Sequence, residues 1–100
     1  MFIHHVFFWL KEELSQEDIQ KFETGVKSLL SIDHLVSGDV GKPAQTNRPV
    51  IDSSYSYSLL LQFTDESAHD AYQVDPVHLK FVDQCSPYWS KVLIYDFETI

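Results

Sequence analysis

The stretch from residue 2 to residue 10 constrains the fold more than any other part of the chain, because it is apolar at most positions. Aromatic and β-branched residues dominate it, which is typical of a β-strand. Both sets of alternate positions are apolar, with Phe2, Val6 and Phe8 in one set and Ile3, Phe7 and Trp9 in the other. Alternate residues of a strand point to opposite faces of the sheet, and a face in water would carry polar side chains. We therefore predict a sheet that is covered on both faces.

The last strand predicted from the sequence, residues 89–97, has the same two-sided character. Val92 and Ile94 are apolar on one face, and Leu93 and Tyr95 are apolar on the other. The chain contains only enough predicted helix to cover one face of the sheet. We expect the second face to pack against another copy of the chain in a two-fold homodimer. The alternatives are that this face borders a cavity or is covered by the loop of residues 42–54.

Capping signals and hydrophobic periodicity predict the elements between these strands. Ser15 followed by Asp18 is close to a capping box and predicts a helix over about 16–31. Residues 34–41 predict a weak strand, and residues 42–53, which contain two prolines, predict a loop. Alternation predicts a strand over 55–63 with Tyr55, Tyr57, Leu59, Leu61 and Phe63 on one face.

The second helical region is interrupted by a proline. Asp65 and Ser67 open a helix, but Pro76 disfavours the helical conformation at Asp75. The same Asp-Pro pair also suits an N-cap followed by proline at the first helical position. We predict a break, then a short helix through Val82. The resulting order, β-α-β-β-α-β, is the ferredoxin-like α+β arrangement, with one antiparallel sheet and helices on one face.

Length and charge limit the classes of protein to which the chain can belong. Its 100 residues predict one domain. A net charge of −8 argues against nucleic acids and anionic membranes as partners. The single cysteine, Cys85, excludes an intrachain disulfide, is expected to be buried, and agrees with a reducing, cytoplasmic location. The apolar stretch of residues 2–10 is too short to span a bilayer.

Three motifs resemble the stress-responsive A/B barrel family. The first is Tyr72 to His78, which reads Tyr-x3-Pro-x-His and sets a phenol and an imidazole six positions apart. The second is the opening stretch from His4 to Lys11, and the third is the closing stretch from Lys91 to Phe97. The resemblance covers nearly the whole chain. It implies a small α+β barrel formed by a homodimer.

The resemblance also implies an active site. The family includes a plant polyketide cyclase that uses a tyrosine and a histidine at this spacing, which implies catalytic roles for Tyr72 and His78. The residue types suit such chemistry, since an imidazole can take a proton from a carbon beside a carbonyl and a phenol can donate to the oxygen that develops charge. The family match places His4 on the cavity wall. Strand alternation then brings Val6 and Phe8 to the same wall.

Three positions differ from that cyclase. Tyr57 stands where the cyclase has a histidine, and we expect it to help orient the substrate. Glu23 and Val26 stand where the cyclase has two aromatic residues that line its pocket. A different substrate is therefore expected. If a helix begins at Pro76, its positive end would also help to keep His78 neutral.

These observations lead to one main hypothesis and two alternatives. The main hypothesis is a small-molecule-binding homodimer, acting as a cyclase or isomerase on a carbonyl compound, with no cofactor and no metal. The five histidines show no close zinc-ligand spacing. The alternatives are a non-enzymatic stress-associated protein with a role in assembly, and a cofactor-free monooxygenase by analogy of fold. A cavity reached by both Tyr72 and His78 would favour binding over a purely structural role.

Overall fold

One antiparallel sheet of four strands carries the fold in the computed structural model, which describes residues 1–100. In chain order the elements are β1 (Phe2–Leu10), α1 (Gln16–Ser28), β2 (Ser37–Gly41), β3 (Tyr57–Phe63), α2 (Glu66–Gln73), α3 (Pro76–Cys85) and β4 (Trp89–Glu98). Short 3-10 turns follow α1 at Leu29–Ser31 and α3 at Ser86–Tyr88. The strand order β2-β3-β1-β4 is ferredoxin-like, so the predicted βαββαβ fold class is confirmed.

Side-chain caps fix the starts of the helices where the sequence predicts them. The Ser15 hydroxyl accepts a hydrogen bond from the backbone N–H of Asp18, which begins α1. The Asp75 carboxylate accepts from the N–H of Val77, and Pro76 occupies the first turn of α3. The predicted break between α2 and α3 is confirmed. However, α3 continues to Cys85, one turn beyond the predicted end.

The register of the central strands decides which side chains face the helices. Antiparallel pairing joins Phe2 to Phe63, His4 to Leu61, Val6 to Leu59 and Phe8 to Tyr57. All of these side chains are buried. Those from β1 and β3, apart from His4, form a single hydrophobic core with helix residues that include Phe22, Val26, Tyr72 and Phe81. The core therefore lies between one face of the sheet and the helices.

The opposite face of the sheet, which we call the open face, has no helix over it and is largely apolar. It carries Ile3, Phe7 and Trp9 of β1, Leu60 of β3, and Leu93, Tyr95 and Phe97 of β4. The side chains of Tyr95 and Phe97 are 60% and 53% exposed. This face matches the two-sided apolar character of the sequence.

The segment before β3 covers one corner of the open face. The ring of Tyr55 packs edge-on against that of Phe7, with 5.0 Å between centroids, and the indole N–H of Trp9 donates to the hydroxyl of Ser54. The prediction that Tyr55 shares a face with Tyr57 is wrong. The pairing with β1 begins only at Tyr57, so strand alternation does not extend back to Tyr55.

The structure contains no helix with the length and apolarity that a membrane crossing requires.

Candidate functional site

A cavity of about 320 Å³ lies between the sheet and the paired helices α2 and α3. Ten of its 13 lining residues are hydrophobic, and the polar exceptions are two histidines and a glutamine. The lining consists of His4, Val6, Phe8, Leu29, Leu59, Tyr72, Gln73, His78, Phe81, Val82, Trp89, Val92 and Ile94. Val82 and Ile94 are the exposed members, at 38% and 46%, so they mark where the cavity meets solvent.

Five of the six site residues predicted from the sequence line this cavity. Tyr72 and His78 reach it from α2 and α3, while His4, Val6 and Phe8 reach it from the helix-facing side of β1. The rings of Tyr72 and His78 are in contact, with centroids 4.7 Å apart. The structure thus brings the phenol and the imidazole together at one surface, and their roles in catalysis remain predictions.

The helix break determines the orientation of His78. Its Nδ1 lies 3.0 Å from the backbone carbonyl oxygen of Gln73, the last residue of α2. A carbonyl oxygen can only accept, so Nδ1 carries the proton and donates it. The other ring nitrogen, Nε2, is then left with a free lone pair. This is the tautomer that a general base requires.

Burial sets the ionisation of both groups. Removal from water lowers the pKa of His78 below its usual value of 6.5, and the nearby His69 adds to this effect, while the hydrogen bond to Gln73 opposes it. Burial also raises the pKa of the Tyr72 phenol, which is 1% exposed. At neutral pH the pair is therefore an uncharged base beside a protonated donor. Burial is the first cause of the low pKa of His78, ahead of any effect of the helix end.

His4 is held by a residue that the sequence analysis did not identify. Its Nδ1 donates to the carboxylate of Asp96 at 2.5 Å, and the two residues are direct partners in the β1–β4 pairing. Burial lowers the pKa of His4, and Asp96 offsets this only in part. The signal available in the sequence was the Tyr-Asp-Phe ending of the last strand. Only the register shows that its carboxylate meets His4.

Tyr57 does not line the cavity with the other predicted site residues. Its hydroxyl donates to the carboxylate of Glu23 at 2.7 Å, and its ring packs against Phe22 on α1. Burial and the bond to Glu23 raise the pKa of Tyr57 to about 12. The acceptor on α1 draws the hydroxyl away from the cavity, so the predicted substrate contact of Tyr57 has no support in this geometry. Val26, the third position at which the sequence differs from the plant polyketide cyclase, is fully buried in the core.

A larger groove of about 750 Å³, with four hydrophobic residues among its 12 lining residues, runs between α1 and α3 and contains none of the predicted catalytic residues. Cys85 lines this groove beside Gly25 and is 3% exposed. Burial raises the pKa of the Cys85 thiol, which keeps the sulfur protonated and unreactive at neutral pH. The expectation that Cys85 is a buried packing residue agrees with this environment.

Comparison with known sequences gives one match along nearly the whole chain. The sequence profile of the Stress Responsive A/B Barrel Domain family matches residues 2–99. Among curated proteins, no sequence matches the chain.

Solved structures from several organisms share the fold. A Dabb family protein with a ferredoxin-like fold from Mesorhizobium loti is 26% identical, with a TM-score of 0.79, and the match covers 99% of this chain and 96% of that one. A dimeric ferredoxin-like protein of unknown function from Thermobifida fusca is 16% identical, with a TM-score of 0.78 and coverage of 98% and 90%. The hydroxynitrile lyase from Passiflora edulis is 18% identical, with a TM-score of 0.77 and coverage of 96% and 90%.

Proposed function

This chain belongs to the Stress Responsive A/B Barrel Domain family, and on that premise we propose that it binds a small carbonyl compound and moves a proton on it, as a homodimer. The observation that carries the proposal is the contact between Tyr72 and His78 at the surface of one apolar cavity. The reaction class is that of a cofactor-free cyclase or isomerase.

The cavity has the character of a small-molecule site. Ligand sites are mostly apolar clefts of roughly 300 Å³ or more with a few polar groups that fix orientation. This cavity, at about 320 Å³, is at the small end of that range. Its polar groups are the side chains of His4, Gln73 and His78 together with the Tyr72 hydroxyl. This combination of an apolar wall with a few polar groups supports a binding role.

The chemistry follows from the protonation states. Nε2 of His78 accepts a proton from the carbon beside the carbonyl group of the ligand, and the electrons of that C–H bond move onto the carbonyl oxygen. The hydroxyl of Tyr72 donates a hydrogen bond to the enolate oxygen that forms. The proton then returns to a different carbon, which isomerises the ligand. Alternatively, the enolate carbon attacks a second carbonyl group of the same molecule and closes a ring, and the oxygen of that second carbonyl takes up the proton held by His78 to become a hydroxyl group.

A structural neighbour supports the enzymatic interpretation in general terms. The hydroxynitrile lyase from Passiflora edulis has the same fold along 96% of this chain. A fold of this size can therefore carry a lyase. At 18% identity the likeness does not extend to the substrate.

The homodimer is supported by the open face. Its apolar side chains, among them Phe7, Leu93 and Phe97, have no cover from helices in the single chain. An exposed apolar surface of this kind is typical of an interaction site. The Thermobifida fusca neighbour is described as dimeric. Pairing of two open faces would bury these side chains in both copies.

The proposal is tested by proton exchange, which reports abstraction whatever the final product is. The protein is incubated in D2O with a panel of small ketones and β-diketones, and loss of the proton signal beside the carbonyl is followed by NMR. We expect exchange above the buffer rate for at least one compound, lost in His78→Ala and retained in His34→Ala, whose side chain is exposed and outside the cavity. Equal exchange by the wild-type protein and His78→Ala would contradict the proposal.

A further inference from the structure

We propose that His4, His69 and Asp96 bind a divalent transition-metal ion of the zinc class at the edge of the cavity. One nitrogen from each histidine and one carboxylate oxygen of Asp96 all lie within 4.8 Å of one another. The three residues come from β1, α2 and β4, so the site is created only by folding.

The hydrogen bonds of His69 leave one nitrogen without a partner. Nε2 of His69 accepts from the side-chain amide of Gln73 at 2.9 Å, which places the proton of the neutral ring on Nδ1. Nδ1 is buried and has no hydrogen-bond partner, since the nearest carboxylate oxygen, on Asp70, is 3.5 Å away and outside hydrogen-bonding geometry. Buried polar atoms without a partner are rare and costly. A metal ion bound to Nδ1 of His69 would account for this unpartnered atom.

Aromatic packing holds the two imidazoles in place. The ring of His69 stacks on Phe2 at 4.7 Å between centroids and lies 4.7 Å from the ring of His4. Both histidine side chains are largely buried, at 12% and 4% exposure. Two rigidly held nitrogen donors side by side reduce the entropy that metal binding would otherwise cost.

The donor set suits a specific class of ion. Two imidazole nitrogens and one carboxylate oxygen are the protein ligands of many zinc sites that keep a further position open to water or substrate. Zinc bonds of about 2.0–2.2 Å place tetrahedral ligands roughly 3.3 Å apart. The donor atoms already lie within 4.8 Å of one another, and the 2.5 Å between His4 Nδ1 and the Asp96 carboxylate must lengthen to admit the ion. Asp96 can supply this movement because its side chain is 40% exposed near the end of β4.

Binding requires two proton shifts, both within neutral imidazoles. At His4 the metal takes the place of the proton shared with Asp96, and that proton moves to Nε2. At His69 the proton moves from Nδ1 to Nε2, and the amide of Gln73 turns over to accept from it with its oxygen. A hydrogen-bonded nitrogen on the far side of each metal-bound imidazole is a common supporting contact. No net proton is released.

The site lies beside the cavity but does not depend on the proposed reaction. The His4 ring is 6.0 Å from that of Tyr72, so a bound cation would stand near the phenol. Metal binding is measured without any substrate, so an absence of metal binding would leave the proton-transfer proposal intact. An absence of proton exchange would likewise leave the metal site intact.

The experiment is a titration of the chelator-treated protein with Zn²⁺ by calorimetry, and with Co²⁺ by visible absorption. We expect one ion per chain and Co²⁺ bands of the intensity typical of four or five ligands. His69→Gln and Asp96→Asn should each weaken Zn²⁺ binding by about tenfold or more, given that loss of a supporting contact alone costs roughly 10–100-fold. His34→Gln, which removes an exposed histidine outside the cluster, should bind as the wild type does.

Three results would overturn the assignment. These are no binding at micromolar concentrations, unchanged affinity in both His69→Gln and Asp96→Asn, or loss of binding in His34→Gln. If His69→Gln does not fold, as judged by circular dichroism, Asp96→Asn decides the question, because its side chain is partly exposed and the fold does not depend on its burial.

Discussion

His78 is oriented by the backbone carbonyl of Gln73, five residues earlier and on the other side of the helix break. The 3.0 Å hydrogen bond from Nδ1 selects the tautomer in which Nε2 can accept a proton. An uninterrupted helix would not place the imidazole against this carbonyl, because residue 73 would use its carbonyl oxygen within the helix. Pro76 therefore affects the site indirectly, because the helix break leaves the carbonyl oxygen of Gln73 in position to accept the hydrogen bond from His78.

The first prediction compares the two members of the pair. His78→Ala should slow proton exchange by roughly 10²–10⁴-fold, the usual contribution of a general base. Tyr72→Phe should slow it less, because the phenol donates to developing charge and does not remove the proton. NMR exchange rates in D2O measure both changes. A larger loss in Tyr72→Phe than in His78→Ala would reverse the assigned roles.

The second prediction concerns pH and activity. Since burial lowers the pKa of His78 below 6.5, its neutral form persists to more acidic pH than that of a free imidazole. The midpoint of the decline in exchange rate on the acidic side should therefore lie below pH 6.5. A decline centred above pH 6.5 would show that the base is a different group.

The third prediction follows from the same shift and concerns stability. The pKa values of His4 and His78 are lowered on folding, so the unfolded chain takes up protons near pH 6.5 while the folded chain does not. The free energy of unfolding should therefore be highest above pH 6.5 and decrease as the pH falls below it. Urea denaturation at pH 7.5 and 5.5 measures the difference. An equal or higher midpoint at pH 5.5 would contradict this sign.

The fourth prediction addresses assembly. Light scattering should show a dimer at micromolar concentration, with an interface of about 2,000 Å² or more in total. Phe7→Asp places a charge on the open face and should produce a folded monomer, because the side chain lies outside the core beneath the helices. Val50→Asp is the control, since Val50 is 82% exposed in the loop before β3. A monomeric wild type would refute the prediction.

The fifth prediction tests the contact between α1 and α3. A Cβ added at Gly25 would lie 2.5 Å from the sulfur of Cys85, so Gly25→Ala should destabilise the protein by about 1–3 kcal/mol as overpacking. This would override the gain of about 1 kcal/mol that alanine offers in a helix. Adding Cys85→Ala should restore most of the stability. Gly41→Ala, which would meet only the Ser58 hydroxyl at 3.8 Å, is the control.

The sequence was sufficient for the elements whose signals are local. The cap at Ser15, the break at Pro76 and the alternation of Val6 and Phe8 each depend on residues within a few positions. The convergence of Tyr72 and His78 was also predictable, because the two residues are only six positions apart. The family motif supplied the remaining clue, the place of His4.

The contacts that the sequence could not reveal join distant parts of the chain. Asp96 meets His4 across 92 positions, and Glu23 accepts from Tyr57 across 34. Both depend on strand register and helix rotation, which a periodicity pattern leaves undetermined. The error at Tyr55 has a related cause, since alternation in the sequence does not show where pairing with the neighbouring strand begins.

The cavity wall is also the hydrophobic core, since Val6, Phe8 and Leu59 belong to both. A mutation that enlarges the cavity at these positions removes core packing, typically at 2–5 kcal/mol for a large-to-alanine change, out of a total stability of about 5–15 kcal/mol. Mutations that would admit a bulkier ligand at these positions are therefore limited by the stability that they remove from the fold. Val82 and Ile94, exposed at the mouth, escape this limit. Divergence in ligand choice should begin at those two positions.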